Sequence, residues 1–220
     1  MNQSLQGIGM TSRRTRERMV KRLIEQGIRN RKVLDVMRDT PRHIFVDEAL
    51  ASRAYEDNPL PIGYNQTISQ PYIVAKMTEL LIKVGHLKKV LEIGTGCGYQ
   101  TAVLAQFADH VYTVERILPL QRKAKEHLWE MKIKNVSYIH NDGGWGWPEY
   151  APFDGILVSA SPTEIPETLL QQMGMGGVMV IPIGEGGGRQ VLQRVIRSES
   201  GFEVEDIEPV SFVPFLSGRE

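Results

Sequence analysis

Residues 90–101, Val90-Leu91-Glu92-Ile93-Gly94-Thr95-Gly96-Cys97-Gly98-Tyr99-Gln100-Thr101, decide the fold. A β-rich run enters a tight G-x-G-x-G turn, and a helical stretch leaves it. Glycines at such a turn let the backbone reverse sharply and approach a ligand with no Cβ in the way. Outward from this loop, short β-rich runs alternate with helical stretches. The strands are expected at Val90–Ile93, His110–Val114, Val136–His140, Gly155–Val158 and Val178–Ile183, with helices at Tyr99–Phe107, Leu120–Lys132 and Pro166–Met173. That alternation predicts an α/β fold, a doubly wound and mostly parallel Rossmann-like sheet with helices on both faces. Two late strands, Gln190–Ile196 and Val204–Val213, are expected to add antiparallel pairing.

The second expected strand ends at Glu115, about twenty residues past the loop. A carboxylate there suits a ribose diol, whose two hydroxyls it can accept. Strand, glycine turn, helix and acid together point to a nucleoside cofactor. The dinucleotide fingerprint is G-x-G-x-x-G with a helix N-terminus on a pyrophosphate, but here Gly98 comes one place early and Tyr99 follows it. Glu92, two residues before Gly94, is expected near the loop, where it would repel a diphosphate and favour a cation. S-adenosylmethionine carries an ammonium, a sulfonium and no phosphate, and it suits such a pocket. After the third strand, Asn141-Asp142-Gly143-Gly144 offers an Asp able to accept from an adenine amino group, with glycines that permit close approach.

The chain has 220 residues, 41% hydrophobic and 24% charged, with 26 Lys and Arg against 26 Asp and Glu. These proportions are those of a globular protein, and a single domain over 1–220 is expected: N-terminal helices and a loop in 1–85, a cofactor-binding core in 86–185, and C-terminal strands in 186–220. A single Cys excludes an intrachain disulfide framework and a Cys-built zinc site, and no metal is expected. No apolar run reaches the roughly 18 residues that span a bilayer. A cytoplasmic monomer acting away from membranes is the expectation. Zero net charge weighs against nucleic acid as partner. The charge is unevenly spread, however: residues 1–32 hold nine basic and two acidic residues, a local +7 balanced by −7 in the remainder. Met19, Val20, Leu23, Ile24 and Ile28 give residues 11–28 an apolar helical stripe, and the arginines read as its solvated face. A second helix is expected from Lys32 to Arg38.

Residues 55–72 hold three prolines and no clean periodicity, which predicts a long ordered loop of the kind that carries function. Ser159-Ala160-Ser161 follows the fourth strand at the carboxyl edge of the sheet, where doubly wound folds bind ligands. Its backbone suits pairing with an extended peptide, and Val213-Pro214-Phe215 is expected to wall the same groove. The five histidines are scattered and form no triad with Ser and Asp. Gly186-Gly187-Gly188 lacks the Lys-Ser/Thr of a phosphate loop and reads as a link, and Trp145 and Trp147 as packing residues.

The glycine loop with Tyr99-Gln100-Thr101-Ala102, the stretch Pro61-Ile62-Gly63…Gln66-Thr67-Ile68-Ser69-Gln70-Pro71, and Asp142-Gly143…Gly146-Trp147-Pro148…Ala151-Pro152-Phe153-Asp154 resemble the protein-L-isoaspartate O-methyltransferase family. The resemblance runs from about His43 to Pro214. It implies transfer of a methyl group from S-adenosylmethionine, leaving S-adenosylhomocysteine, to the free α-carboxylate of L-isoaspartyl residues in damaged proteins and peptides. The ester then closes to a succinimide unaided. The resemblance makes Ser69 the active-site hydroxyl, sets Thr67, Ile68 and Ser69 against the cofactor with Glu92, Gly94, Thr95, Gly96, Gly98, Glu115, Asp142 and Gly143, and gives substrate contacts to Gln70, Ser159, Ala160, Val213 and Pro214. Two departures from the family pattern are visible: Asn65 stands where Gly is usual, and Met175-Gly176-Gly177 replaces Pro-Gly-Gly; Cys97 sits where Ser is common and is expected to be tolerated. Competing readings are a methyltransferase for RNA or a small molecule, motivated by the basic first segment, and a non-catalytic cofactor- or protein-binding module. An NAD-dependent dehydrogenase fits least.

Overall fold

The computed structural model describes residues 9–220. Its sheet has seven strands in the order β5-β4-β3-β6-β7-β8-β9. β3 (Leu87–Ile93), β4 (Ala108–Glu115), β5 (Val136–His140), β6 (Phe153–Val158) and β7 (Met173–Gly184) are mutually parallel. β8 (Gln190–Ser198) and β9 (Gly201–Val210) add antiparallel edges. The fold is therefore the expected α/β class. Because the chain goes from β3 outward to β4 and later returns to β6 on the other side, the strand order reverses between β3 and β6. That is where doubly wound sheets bind ligands, outside the strands' carboxyl ends.

Alternation along β3 divides its side chains between two faces. Val90 packs with α3 (Pro71–Leu81) and Leu104 of α4 (Tyr99–Leu104), while Leu91 and Ile93 pack on the opposite face with Leu169 of α6 (Glu167–Gln171). Glu92 shares the face of Val90. Helix α5 (Leu118–Glu130) lies on β4 and β5 and fits tightly against the glycine loop, where a Cβ on Gly98 would meet Ala124 and Leu128 at 3.1–3.2 Å.

The N-terminal helices are α1 (Arg13–Glu25) and α2 (Arg31–Asp39). Met19, Leu23 and Ile28 are buried as the stripe requires, but Ile24 is 43% exposed. The basic face is also less solvated than its spacing suggests. Arg16 is buried with its guanidinium over the Tyr55 ring, and Arg22 donates to the Tyr55 carbonyl.

Within the segment expected as one loop lies a two-stranded hairpin, β1 (Leu60–Gly63) and β2 (Gln66–Ile68). Its turn residues Tyr64 and Asn65 have φ of +53° and +55°. Both central residues of such a turn need the left-handed region, where Gly is free and Asn is the best tolerated alternative. Position 65 thus needs a residue that tolerates the left-handed region, and Asn65 meets that need. Met175, the other departure, is an exposed side chain in the irregular first part of β7 and precedes Gly176 at φ +72°.

Candidate active site

Two adjoining cavities open at the carboxyl edge of the sheet. The larger encloses about 660 Å³, open solvent at its mouth included. Its floor is Gly94 and Gly96 after β3, its wall Glu115 and Arg116 after β4, and its far side Gly143. Pro214, Phe215 and Leu216 close it from the C-terminal segment, and Ile62, Gln66 and Thr67 of the hairpin cover it. The smaller cavity, about 350 Å³, lies between the hairpin's exit and the end of β9, with Ser69, Gln70 and Ser211 in its walls. Thr67, Ser159 and Val213 border both.

The glycine loop is held from behind by backbone. The amides of Gly94 and Thr95 donate to the Val114 carbonyl at 2.9 and 3.3 Å, and the Ser159 amide donates to Ile93 at 2.9 Å. Gly94 and Gly96 have φ of +94° and +53°, in the region that favours glycine. Glu115 is 5% exposed and accepts from the Gly96 amide at 2.8 Å and the Ile117 amide at 2.9 Å. Burial raises its pKa, and these backbone donors oppose the rise. Its remaining lone pairs are available to the cleft it borders.

Several expected cofactor residues have a different place. Glu92 is fully buried and borders neither cavity; its Oε2 accepts from Thr101 and Thr113, each at 2.6 Å. Burial pushes its pKa up to about 8, so at pH 7 it is mainly neutral. The expected anion facing a cation is instead a carboxylic acid under the loop, as the alternation along β3 requires. Thr95 also turns inward, to Thr113 at 2.7 Å. Ile68 is buried in the core, so only its backbone can reach a ligand. Gly98 serves helix packing. Asp142 does not line the cleft: its Oδ1 accepts from Gly144 at 2.8 Å and its Oδ2 from Gly218 at 2.6 Å, so it ties the C-terminal segment to the Gly143 cradle. Ser69 lines the smaller cavity alone, which separates its hydroxyl from the cofactor set.

Arg116, Ile117, Leu216 and Ser211 border the cavities without having been foreseen. They gather through the C-terminal segment. Glu220 exchanges backbone hydrogen bonds with Arg116 and Leu118 at 2.7 and 2.9 Å, and the Arg116 guanidinium pairs with its carboxylate at 3.1 Å. No sequence signal joins positions a hundred residues apart. None of the five histidines lines either cavity. Cys97 is buried, and desolvation pushes its thiol up to about 11.

The donor set fits S-adenosylmethionine on the structure's own terms. A Cβ on Gly143 would overlap Ile93 and sit 3.3 Å from the Phe215 ring, so the far side of the cleft is closely packed and its backbone lies bare at that position. An acid with spare lone pairs stands beside a positive-φ glycine floor. The profile of the family described as protein-L-isoaspartate(D-aspartate) O-methyltransferase matches residues 14–220. The protein-L-isoaspartate O-methyltransferase of Cellvibrio japonicus is 58% identical over 99% of this chain and 98% of its own length. Protein-L-isoaspartate O-methyltransferase 1 of Marinobacter nauticus is 56% identical over 99% of both. Among solved structures, a putative enzyme of the same name from Plasmodium falciparum, in complex with S-adenosyl-L-homocysteine, superposes with a TM-score of 0.78. It is 26% identical over 91% of this chain and 98% of that one. A further protein-L-isoaspartate O-methyltransferase reaches 0.81 at 28% identity, covering 90% of this chain and 65% of that one. With its fold, its glycine cleft and its full-length relatives in agreement, the chain belongs to the S-adenosylmethionine-dependent protein-L-isoaspartate(D-aspartate) O-methyltransferase family.

Proposed function

We propose that this chain performs the family's repair reaction with the larger cavity as cofactor site and the smaller as acceptor site. The observation that carries this reading is their shared wall: Thr67, Ser159 and Val213 border both, so a donor and an acceptor bound there meet. The cofactor supplies a methyl group on a positively charged sulfur. The isoaspartyl α-carboxylate, with an ordinary pKa near 3–4, is ionised at pH 7 and needs no base. The absence of histidine from both linings is consistent with that chemistry. What remains for the protein is to orient two groups and keep water out, which supplies about 7–11 kcal/mol in favourable cases.

In this assignment Glu115 accepts from the ribose hydroxyls, Gly94 and Gly96 form the floor, and Gly143 takes the adenine plane. Ser69 holds the acceptor carboxylate, assisted by Gln70. Ser159, Ala160, Val213 and Pro214 frame the peptide. The whole chain acts as one unit, as a monomer in the cytoplasm, on damaged proteins rather than nucleic acid. The packing of Arg16 and Arg22 supports a structural role for the basic N-terminal residues. The acidic edge of β9, with Glu203, Glu205, Asp206 and Glu208, discourages strand pairing between copies. Labelled S-adenosylmethionine should transfer its methyl to an isoaspartyl peptide and almost none to the matched aspartyl peptide; equal labelling of the two would reject the assignment.

A further inference from the structure

The hydroxyls around the glycine loop and those around the acceptor cavity are in opposite states. Under the loop, Thr95, Thr101 and Thr113 each have a partner within the chain. Around the smaller cavity, Ser69, Ser159 and Ser211 have none among the described residues, and no Lys, Arg or His lines it. An anion entering that cavity is therefore met by hydroxyls and the Gln70 amide, with no cationic side chain beside it. That arrangement suits a carboxylate that must remain nucleophilic, because a full positive charge beside it would neutralise the attacking oxygen.

Ser211 is the hydroxyl with no assigned part. It is exposed at the end of β9, yet its place is fixed by a buried clamp. Gln190, 3% exposed, accepts from the Phe212 amide at 2.6 Å and donates to the Phe212 carbonyl at 3.2 Å. One residue further, the Val213 carbonyl accepts from the Ser161 amide at 2.9 Å. Backbone on the far side of the cavity is thus locked, and Ser211 is presented from a different element than Ser69. A carboxylate has two oxygens, and only one attacks.

We infer that Ser211 is a specificity-determining residue whose hydroxyl donates to the acceptor carboxylate oxygen that Ser69 does not hold, with Gln190 as its positioning residue. This rests on the smaller cavity being the acceptor site. Losing one hydrogen bond to a charged group at a partly exposed site weakens binding about tenfold.

The test compares an isoaspartyl peptide with its α-carboxamide counterpart, which keeps the shape and loses the charge. Ser211→Ala should raise KM for the carboxylate peptide about tenfold, leave kcat within about twofold, and leave the cofactor Kd unchanged. Inhibition by the carboxamide peptide, which keeps only a neutral acceptor, should weaken far less than tenfold, and Ser211→Thr should restore the wild-type KM. Equal weakening of both peptides would mean that Ser211 only shapes the groove, and an unchanged KM would remove it from recognition; either overturns the inference. If the wild-type chain fails to methylate the isoaspartyl peptide at all, the acceptor assignment itself falls, a result distinct from a Ser211 variant that matches wild type.

Discussion

Two polar clusters lie on either side of Gly94, built from similar side chains. Below it, Glu92, Thr95, Thr101 and Thr113 form a buried network in which every hydroxyl is engaged, while the Glu92 Oε1 has no partner among the described residues. Beyond it, Ser69, Ser159 and Ser211 border open space with no internal partner among the described residues. The first cluster is buried and must satisfy its groups internally or lose stability. The second can leave its donors idle because water or substrate will take them. Residue type does not distinguish a structural polar group from a functional one here; commitment does.

The largest test of that distinction falls on Glu115, which belongs to both classes. It holds the Gly96 and Ile117 amides and still faces the cleft. Glu115→Ala should weaken S-adenosylmethionine binding on the order of 100-fold, since it removes a charged acceptor and frees the loop's own donor. Calorimetry that returns an unchanged Kd would show that the ribose is held elsewhere. Ser69→Ala removes an uncommitted hydroxyl. It should lower kcat about 10- to 100-fold while cofactor affinity stays constant. A collapse of cofactor binding would put Ser69 with the wrong ligand.

The smallest effect on activity is expected from Glu92, and it should appear in stability. Burial pushes its carboxyl up to about 8 in the folded chain, well above the ordinary carboxylate range. The folded state therefore holds a proton that the unfolded state has released. The contribution of this group to stability is fully present below about pH 4.5 and declines as pH rises toward 8, by an amount on the order of a few kcal/mol. Glu92→Gln keeps an acceptor for Thr101 and Thr113 but cannot ionise. Its melting temperature should fall less than the wild-type value between pH 5 and pH 8.5. Parallel curves would mean that Glu92 is ionised in the fold, as a carboxylate accepting from Thr101 and Thr113.

The parallel strands, the glycine turn and the late strands were legible because each is a concentrated β-run bounded by turn residues. The hairpin at 60–68 was not, since its prolines mask alternation and Tyr64-Asn65 carries no Gly to announce the turn. The first half of β7 was hidden in Met173-Gly174-Met175-Gly176-Gly177, which has no hydrophobic period. The place of Glu92 is not legible, because a carboxylate two residues before a glycine reads alike whether it faces the ligand or the core. Its partners, nine and twenty-one residues away, decide the matter. Ser211 and Leu216 became visible only when the C-terminal segment was seen to cross the cleft.

The bonds on Asp142 also bear on how a repair enzyme stays intact. An Asp followed by Gly rearranges to isoaspartate with special ease, because the next amide nitrogen meets little hindrance on its way to the side-chain carbonyl carbon. This chain has two such pairs, Asp142-Gly143 and Asp154-Gly155. Packing opposes replacing either glycine: a Cβ on Gly143 would overlap Ile93, and one on Gly155 would press Leu81 at 3.1 Å. Each carboxylate is instead immobilised by two backbone amides, Gly144 and Gly218 for Asp142, Lys88 and Lys89 for Asp154. Side chains so anchored resist turning onto the following nitrogen, and the lesion this family repairs is thereby slowed at the two places in its own backbone most exposed to it.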